Sequence, residues 1–201
     1  MLLSSSTNTN QGETPIAGKQ SRTLRNSDRI RIRYGNYHIV IIENDLVIRV
    51  SSLYSVEDGV KTNRTFAVVA YPEIIDPAFK KEHEAIINGQ SIGIVFEQNG
   101  WAIEKRHQYF GEIEVPGHHA SAHSLFGDNG TSNAAIHIYS LLVQKDDASF
   151  QYALIAEVHH PEFLQLEDLK AIYGQEPDTS PADDGSASDF LAIVRAKIQG
   201  L

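Results

Sequence analysis

Residues 37–55, "YHIVIIENDLVIRVSSLYS", decide the fold class of this chain. Two runs rich in β-branched residues meet at Asn44-Asp45, and this pattern predicts a β-hairpin with its turn near those two residues. A second turn follows at 57–59, "EDG", and the run "NRTFAVVAYP" predicts a third strand that ends at Pro72. We therefore expect the domain to open with an antiparallel meander.

The hydrophobic period then changes from that of a strand to that of a helix. The segment "IIDPAFKKEHEAIINGQ" predicts a helix with Asp76 as its N-cap, Pro77 in its first turn and Gly89 after its last turn. A short apolar segment, an Asn-Gly turn at 99–100 and an alternating strand that includes Trp101 follow. This helix is expected to lie across the sheet.

The last part of the pattern is a hairpin followed by a helix. "AIHIYSLLVQKDDASFQYALIAEVHH" predicts two strands that turn at Lys145 to Ala148, and "PEFLQLEDLKAIYG" predicts a helix that ends at Gly174. The order β-β-β-α-β-β-β-α is typical of an α+β fold. We expect an antiparallel sheet of about six strands with helices packed on one face.

The composition divides the chain into four segments. Residues 1–27 are polar and basic and are expected to be disordered, because they carry too few apolar groups to repay the entropy of ordering. Residues 28–174 are expected to form a single domain. Residues 175–188 form an acidic linker, and residues 189–201 predict a short amphipathic C-terminal helix.

Length and charge exclude several classes of function. The 201 residues contain no cysteine, which excludes disulfides and thiol catalysis, and the net charge of −9 argues against binding nucleic acid. No apolar run reaches the roughly 18 residues of a membrane helix, and the first residues do not form a signal peptide. We therefore expect a cytoplasmic protein without membrane contacts, as a monomer or a small homo-oligomer.

One charge interrupts a run that otherwise predicts a buried strand. Glu157 lies within "ALIAEVHHP", and burying an ionised carboxylate costs several kcal/mol unless a cation or hydrogen-bond donors compensate it. Arg64, in the mostly apolar run "NRTFAVV", is the candidate partner. Two interpretations stay open: a structural ion pair, or a site in which Arg64 binds a ligand carboxylate and Glu157 donates a proton or a hydrogen bond.

Several segments together resemble the chorismate lyase family. "DGVKTNRTFAVV", "SIGIVF", "YFGEIE" and "YALIAEVHHPEFL" are similar in order and spacing to that family across about residues 36–165. The resemblance implies a chorismate lyase-like fold with an enclosed pocket. It implies cofactor-free elimination of pyruvate from chorismate to leave 4-hydroxybenzoate, with Arg64 and Glu157 in the catalytic positions and the backbone around Ile92 and Gly93 contacting the substrate.

The resemblance leaves room for other functions. Ser91 replaces a proline of the family pattern, and the same fold group includes modules that bind small molecules without chemistry. The alternative is therefore a non-catalytic module that binds a small aryl carboxylate. A third hypothesis is a structural protein in which Arg64 and Glu157 form only a core ion pair.

The histidines raise a competing hypothesis of a metal site. His118, His119 and His123 lie in the small, polar segment 116–134, which predicts a long loop, and His159 and His160 follow Glu157. His119 and His123 have the spacing of two ligands on a helix, but the glycine and serine around them disfavour a helix. We predict solvated loop histidines and no metal site.

Overall fold

The computed structural model describes residues 24–115, 132–174 and 184–200. The predicted first hairpin is confirmed, with strands β1 (His38–Asn44) and β2 (Ile48–Glu57) paired antiparallel. The carboxylate of Asp45 accepts hydrogen bonds from the backbone amides of Val47 and Ile48 at 2.7 and 2.6 Å, which fixes the turn. The third strand, β3 (Val60–Ala70), completes the meander.

Three further strands complete the expected six-stranded antiparallel sheet. They are β4 (Ala102–Val115), β5 (Ser132–Lys145) and β6 (Ala148–His159), and the last two form the predicted hairpin. The strand order is β1-β2-β3-β6-β5-β4, so that β6 lies between β3 and β5. The α+β class is therefore confirmed, and Glu157 lies on a strand with neighbours on both sides.

Helices fill the connections between the strands. Helix α1 (Asn26–Tyr34) precedes β1 and begins inside the segment predicted to be disordered. Between β3 and β4, a 3₁₀ turn (Pro77–Phe79) leads into α2 (Lys80–Ile87) and then α3 (Ile92–Gln98).

Side-chain capping starts the predicted helix, and a second helix follows β6. The carboxylate of Asp76 accepts a hydrogen bond from the Ala78 amide at 2.8 Å, as its predicted N-cap role requires. The helix α4 (Leu166–Tyr173) ends at Gly174 in the left-handed region, at φ 103°.

The prediction that the helices pack on one face is wrong, because the C-terminal helix α5 (Asp184–Gln199) covers the opposite face. Phe190 and Val194 of α5 pack with Phe66 and Val68 of β3. The other face carries Ala67 and Val69, which pack against α1, α2 and α3. Adjacent strand residues alternate between faces, so each face of the sheet has its own core.

Parts of three predicted segments fall outside the described residues. These are residues 1–23 of the tail, 116–131 of the long loop and 175–183 of the acidic linker. The helix predicted from residue 189 begins earlier, at Asp184, and is docked on the sheet. No helix within the described residues combines the length and apolar character that crossing a membrane requires.

Candidate functional site

A cavity of about 120 Å³ lies between the sheet and the helices α1 and α3. Its volume is comparable to the roughly 150 Å³ that holds a benzene molecule in an engineered protein cavity. Its apolar walls come from β1, β2, β3, β4, β5 and β6 together with α3. These walls are formed by Ile39, Leu53, Ala67, Val69, Ile92, Ile103, Leu141 and Ile155. Such a cavity is suited to a small ring compound.

Glu157 lines this cavity and is almost fully buried. In the sheet it lies between Ala67 of β3 and His137 of β5. Its carboxylate Oε2 is 3.8 Å from the Lys105 ammonium Nζ, and both side chains are less than 15% exposed. The cation that compensates Glu157 is therefore Lys105, on the edge strand β4, and not Arg64.

Lys105 is held in its charged form by the groups around it. Burial acts to lower the pKa of Lys105, but the negative charge of Glu157 opposes this and the net pKa is raised. The Lys105 ammonium also lies 4.5 Å from the centre of the Tyr139 ring. Burial raises the pKa of the Tyr139 hydroxyl, and Glu157 adds to the rise, so the phenol stays neutral.

Arg49 is the second cation inside the cavity, and sequence reasoning missed it. Its side chain is 2% exposed and lines the cavity. Its guanidinium donates to two backbone carbonyls, those of Ile86 at 3.2 Å and Gln90 at 2.9 Å, and neither is charged. Among the ion pairs of the described residues, none involves Arg49, so it is available to bind an anion.

Arg64 occupies a different place from the one predicted. It is buried, but it does not line the cavity: its Nε donates to Ser55 Oγ at 2.9 Å, and its Nη2 pairs with Glu57. Its guanidinium also lies 3.7 Å from the centre of the Tyr34 ring. Arg64 pairs with Glu57 and Glu162, and Glu157 pairs with Lys105, so the described residues show no ion pair between Arg64 and Glu157.

A β-bulge explains the position of Arg64. In the β2–β3 ladder Leu53 pairs with Thr65 and Tyr54 with Asn63, which leaves Arg64 as the extra residue. A bulge redirects a side chain away from the simple alternation of a strand. A sequence pattern does not reveal the bulge, and it places Arg64 next to Glu157, where the structure has Lys105.

The other two predicted site residues, Ile92 and Gly93, do line the cavity, in the first turn of α3. Arg25 crosses α3 at this point, and a Cβ atom on Gly93 would lie only 2.9 Å from the Arg25 Cδ. Arg25 then reaches Glu97, with 2.7 Å between Nη1 and Oε2. Gly93 therefore allows α1 and α3 to approach each other over the cavity.

Three buried histidines lie on the same face of the sheet as Glu157: His107, His137 and His159. His107 Nδ1 and His137 Nε2 are 2.5 Å apart, and His159 Nδ1 is 3.1 Å from Thr65 Oγ1. Burial lowers the pKa of His137, and the charge of Lys105 lowers it further. Burial also lowers the pKa of His159, to about 4, against the opposing effect of Glu157.

Within the described residues, no cluster of side chains supports the hypothesis of a metal site. No group of three or more potential ligands there could hold a metal ion. The loop histidines His118, His119 and His123 lie outside the part of the chain that the structure describes.

No protein-family model matches the chain, and no curated protein matches it either. The cavity combines three cations, Arg25, Arg49 and Lys105, with one acid, Glu157. This arrangement can hold an anion and can serve proton transfer next to it.

Proposed function

We propose that this chain binds a small ring carboxylate in the cavity and eliminates pyruvate from chorismate or a closely related enolpyruvyl acid. The observation that carries the proposal is the buried guanidinium of Arg49, which lines the cavity and is hydrogen-bonded to neutral carbonyls. A planar guanidinium binds a carboxylate through two parallel hydrogen bonds. Arg49 thus takes the anion-binding role that the sequence suggested for Arg64.

The charge of the cavity supports an anionic ligand. Its three cations exceed its single acid by two, although the whole chain carries a net charge of −9. Arg25 pairs with Asp28 and Glu97, and Lys105 pairs with Glu157. Among the described residues this leaves Arg49 as the cavity cation without an acidic partner, and one ligand carboxylate would balance it. The apolar walls would hold its ring, and the first turn of α3 at Ile92 and Gly93 would contact one edge of it.

The lyase reaction needs groups near the bond that breaks. Elimination breaks the carbon–oxygen bond between the ring and the enolpyruvyl group, the ring loses a proton and becomes aromatic, and enolpyruvate takes up a proton to give pyruvate. Lys105 would stabilise the negative charge that develops on the leaving oxygen. Glu157 faces this ammonium at 3.8 Å, which favours Glu157 as the acceptor of the ring proton rather than as the donor.

The test is incubation of the purified protein with chorismate while pyruvate and 4-hydroxybenzoate are measured together. Arg49→Lys keeps the charge but loses the planar fork, and we expect it to lower kcat/KM by at least about tenfold. Arg64→Lys is the matched control, because Arg64 is an equally buried arginine that does not line the cavity. Equal losses in both variants, or turnover that both retain, would contradict the assignment of Arg49.

The binding module without chemistry remains the second candidate, and the ion pair between Lys105 and Glu157 favours it. A carboxylate that is engaged with a buried ammonium has a structural role that needs no reaction. A binder would show no release of pyruvate, and 4-hydroxybenzoate would raise its melting temperature. Arg49→Lys would then reduce that rise, and Arg64→Lys would leave it unchanged.

A further inference from the structure

A larger groove of about 440 Å³ lies beside the cavity at the β4 edge of the sheet, between β4 and α3. Arg25, Ile103 and Lys105 line both the cavity and this outer groove. Trp101, from the start of the same edge segment, adds an apolar wall to the groove. The shared residues make the two spaces adjacent compartments of one site.

Arg25 is one of the side chains that line both compartments, and its Nε pairs with Asp28 at 2.7 Å. Arg25 extends from the start of α1 over Gly93, and its Nη1 meets Glu97 Oε2 at 2.7 Å. Arg25 is about one-third exposed and Glu97 is half exposed, so this contact forms at the surface. An exposed ion pair contributes little stability and can open at little cost. A ligand could therefore extend past Arg25 from one compartment into the other.

The two compartments differ in charge: three cations and one acid line the cavity, whereas in the groove the shared cations Arg25 and Lys105 are matched by two acids. Arg49 lines only the cavity, whereas the residues that line only the groove include two acids, Glu97 and Glu104, and no cation. Glu97 is paired with Arg25, but the partner of Glu104 is the neutral amide of Gln144, whose Nε2 donates at 2.8 Å. Among the described residues, no ion pair involves Glu104.

We propose that the outer groove is a second ligand subsite that takes a positively charged or hydrogen-bond-donating substituent. The substituent would be attached to a ring whose carboxylate is held by Arg49. This inference rests on the proposed function, because it requires a carboxylate ligand in the cavity. Glu104 attracts the substituent, Trp101 packs against its stem, and Arg25 moves aside to let the stem pass. The ligand is thus polarised, with its acid inward and its ammonium or hydroxyl group outward.

The test uses three probes of similar shape: 4-hydroxybenzoate, 4-(2-aminoethoxy)benzoate and 4-(carboxymethoxy)benzoate. Calorimetry at low salt gives the Kd of each probe for the full chain. We expect the amino probe to bind about fivefold more tightly than the carboxymethoxy probe, the size of effect that one partly exposed charge produces. Glu104→Gln should reduce this ratio to about one without changing the Kd of 4-hydroxybenzoate.

Glu112→Gln is the matched control, because Glu112 is an exposed acid on the same strand and lines neither compartment. It should leave the ratio unchanged. Failure of all three probes to bind would overturn the proposed function and this inference with it. Two outcomes would overturn the groove subsite alone, provided that 4-hydroxybenzoate binds. In one, Glu104→Gln does not alter the ratio of the Kd values of the two charged probes; in the other, the carboxymethoxy probe binds best.

Discussion

Removing the charge of Glu157 should destabilise the protein strongly, because Lys105 would then be left buried without its counter-charge. At 3.8 Å and an effective dielectric constant of about 20, the two charges attract each other by about 4 kcal/mol. Breaking a buried pair by removing one partner typically costs about 3 to 5 kcal/mol. We therefore expect Glu157→Gln to lower the free energy of unfolding by about 3 kcal/mol, and the melting temperature by about 6 to 12 °C.

The double variant Glu157→Gln/Lys105→Met distinguishes a buried charge from lost packing. It removes both charges at once, so most of the stability lost in Glu157→Gln should return. Glu43 provides the control: it pairs with Lys197 at the shorter distance of 2.6 Å, but both side chains are about one-third exposed. Glu43→Gln should cost less than about 1 kcal/mol in urea unfolding. If Glu157→Gln costs no more than Glu43→Gln, the pair in the cavity is not desolvated and the reasoning fails.

Two further predictions concern the surroundings of the cavity. The pKa of His159 is about 4 in the folded protein and 6.5 when unperturbed, so the unfolded chain binds the proton more readily. The contribution of neutral His159 to the free energy of unfolding should be fully present above pH 6.5, and up to about 3 kcal/mol of it should be lost as the pH drops towards 4. Urea unfolding should show the free energy of unfolding falling with pH in this way, and His159→Gln should reduce the slope. Equal slopes in the wild type and in His159→Gln would refute the lowered pKa of His159. Gly93→Ala places a Cβ atom 2.9 Å from the Arg25 Cδ, so we expect it to be less favourable in the wild type than in an Arg25→Ala background, by up to about 1 kcal/mol. Equal effects in both backgrounds would contradict the contact.

The parts of the fold that sequence predicted are those set by local chemistry. The turn at Asp45 and the helix start at Asp76 depend on side chains that bond to the backbone two or three residues away, and both are in the structure. The short apolar segment 91–96 does not reveal its period in the sequence, and in the structure it lies mostly within α3. The face covered by α5 depends on contacts that are distant in the sequence.

The candidate site was predicted in part for the same physical reason. Glu157 could be found because a charge within an apolar strand needs compensation whatever the fold. Its partner Lys105 could not be found from the sequence, because strand register determines which of several cations faces Glu157. Lys105 comes from an edge strand that does not pair with β6. Arg49 has the same signal as Arg64, a cation within an apolar run, and the sequence does not show which of the two lines the cavity.

The neutral histidines and the cationic cavity together make ligand binding depend on pH. Lys105 acts to lower the pKa of both His137 and His159, so protonation of either adds positive charge to an already positive region. A bound carboxylate would offset this charge, and by linkage it should protect the protein against acid. We expect 4-hydroxybenzoate to raise the melting temperature more at pH 5.5 than at pH 7.5, in the wild type but not in Arg49→Lys. A smaller gain at pH 5.5 in the wild type would show that the ligand's charge does not reach the histidines, and would place the anion outside the cavity.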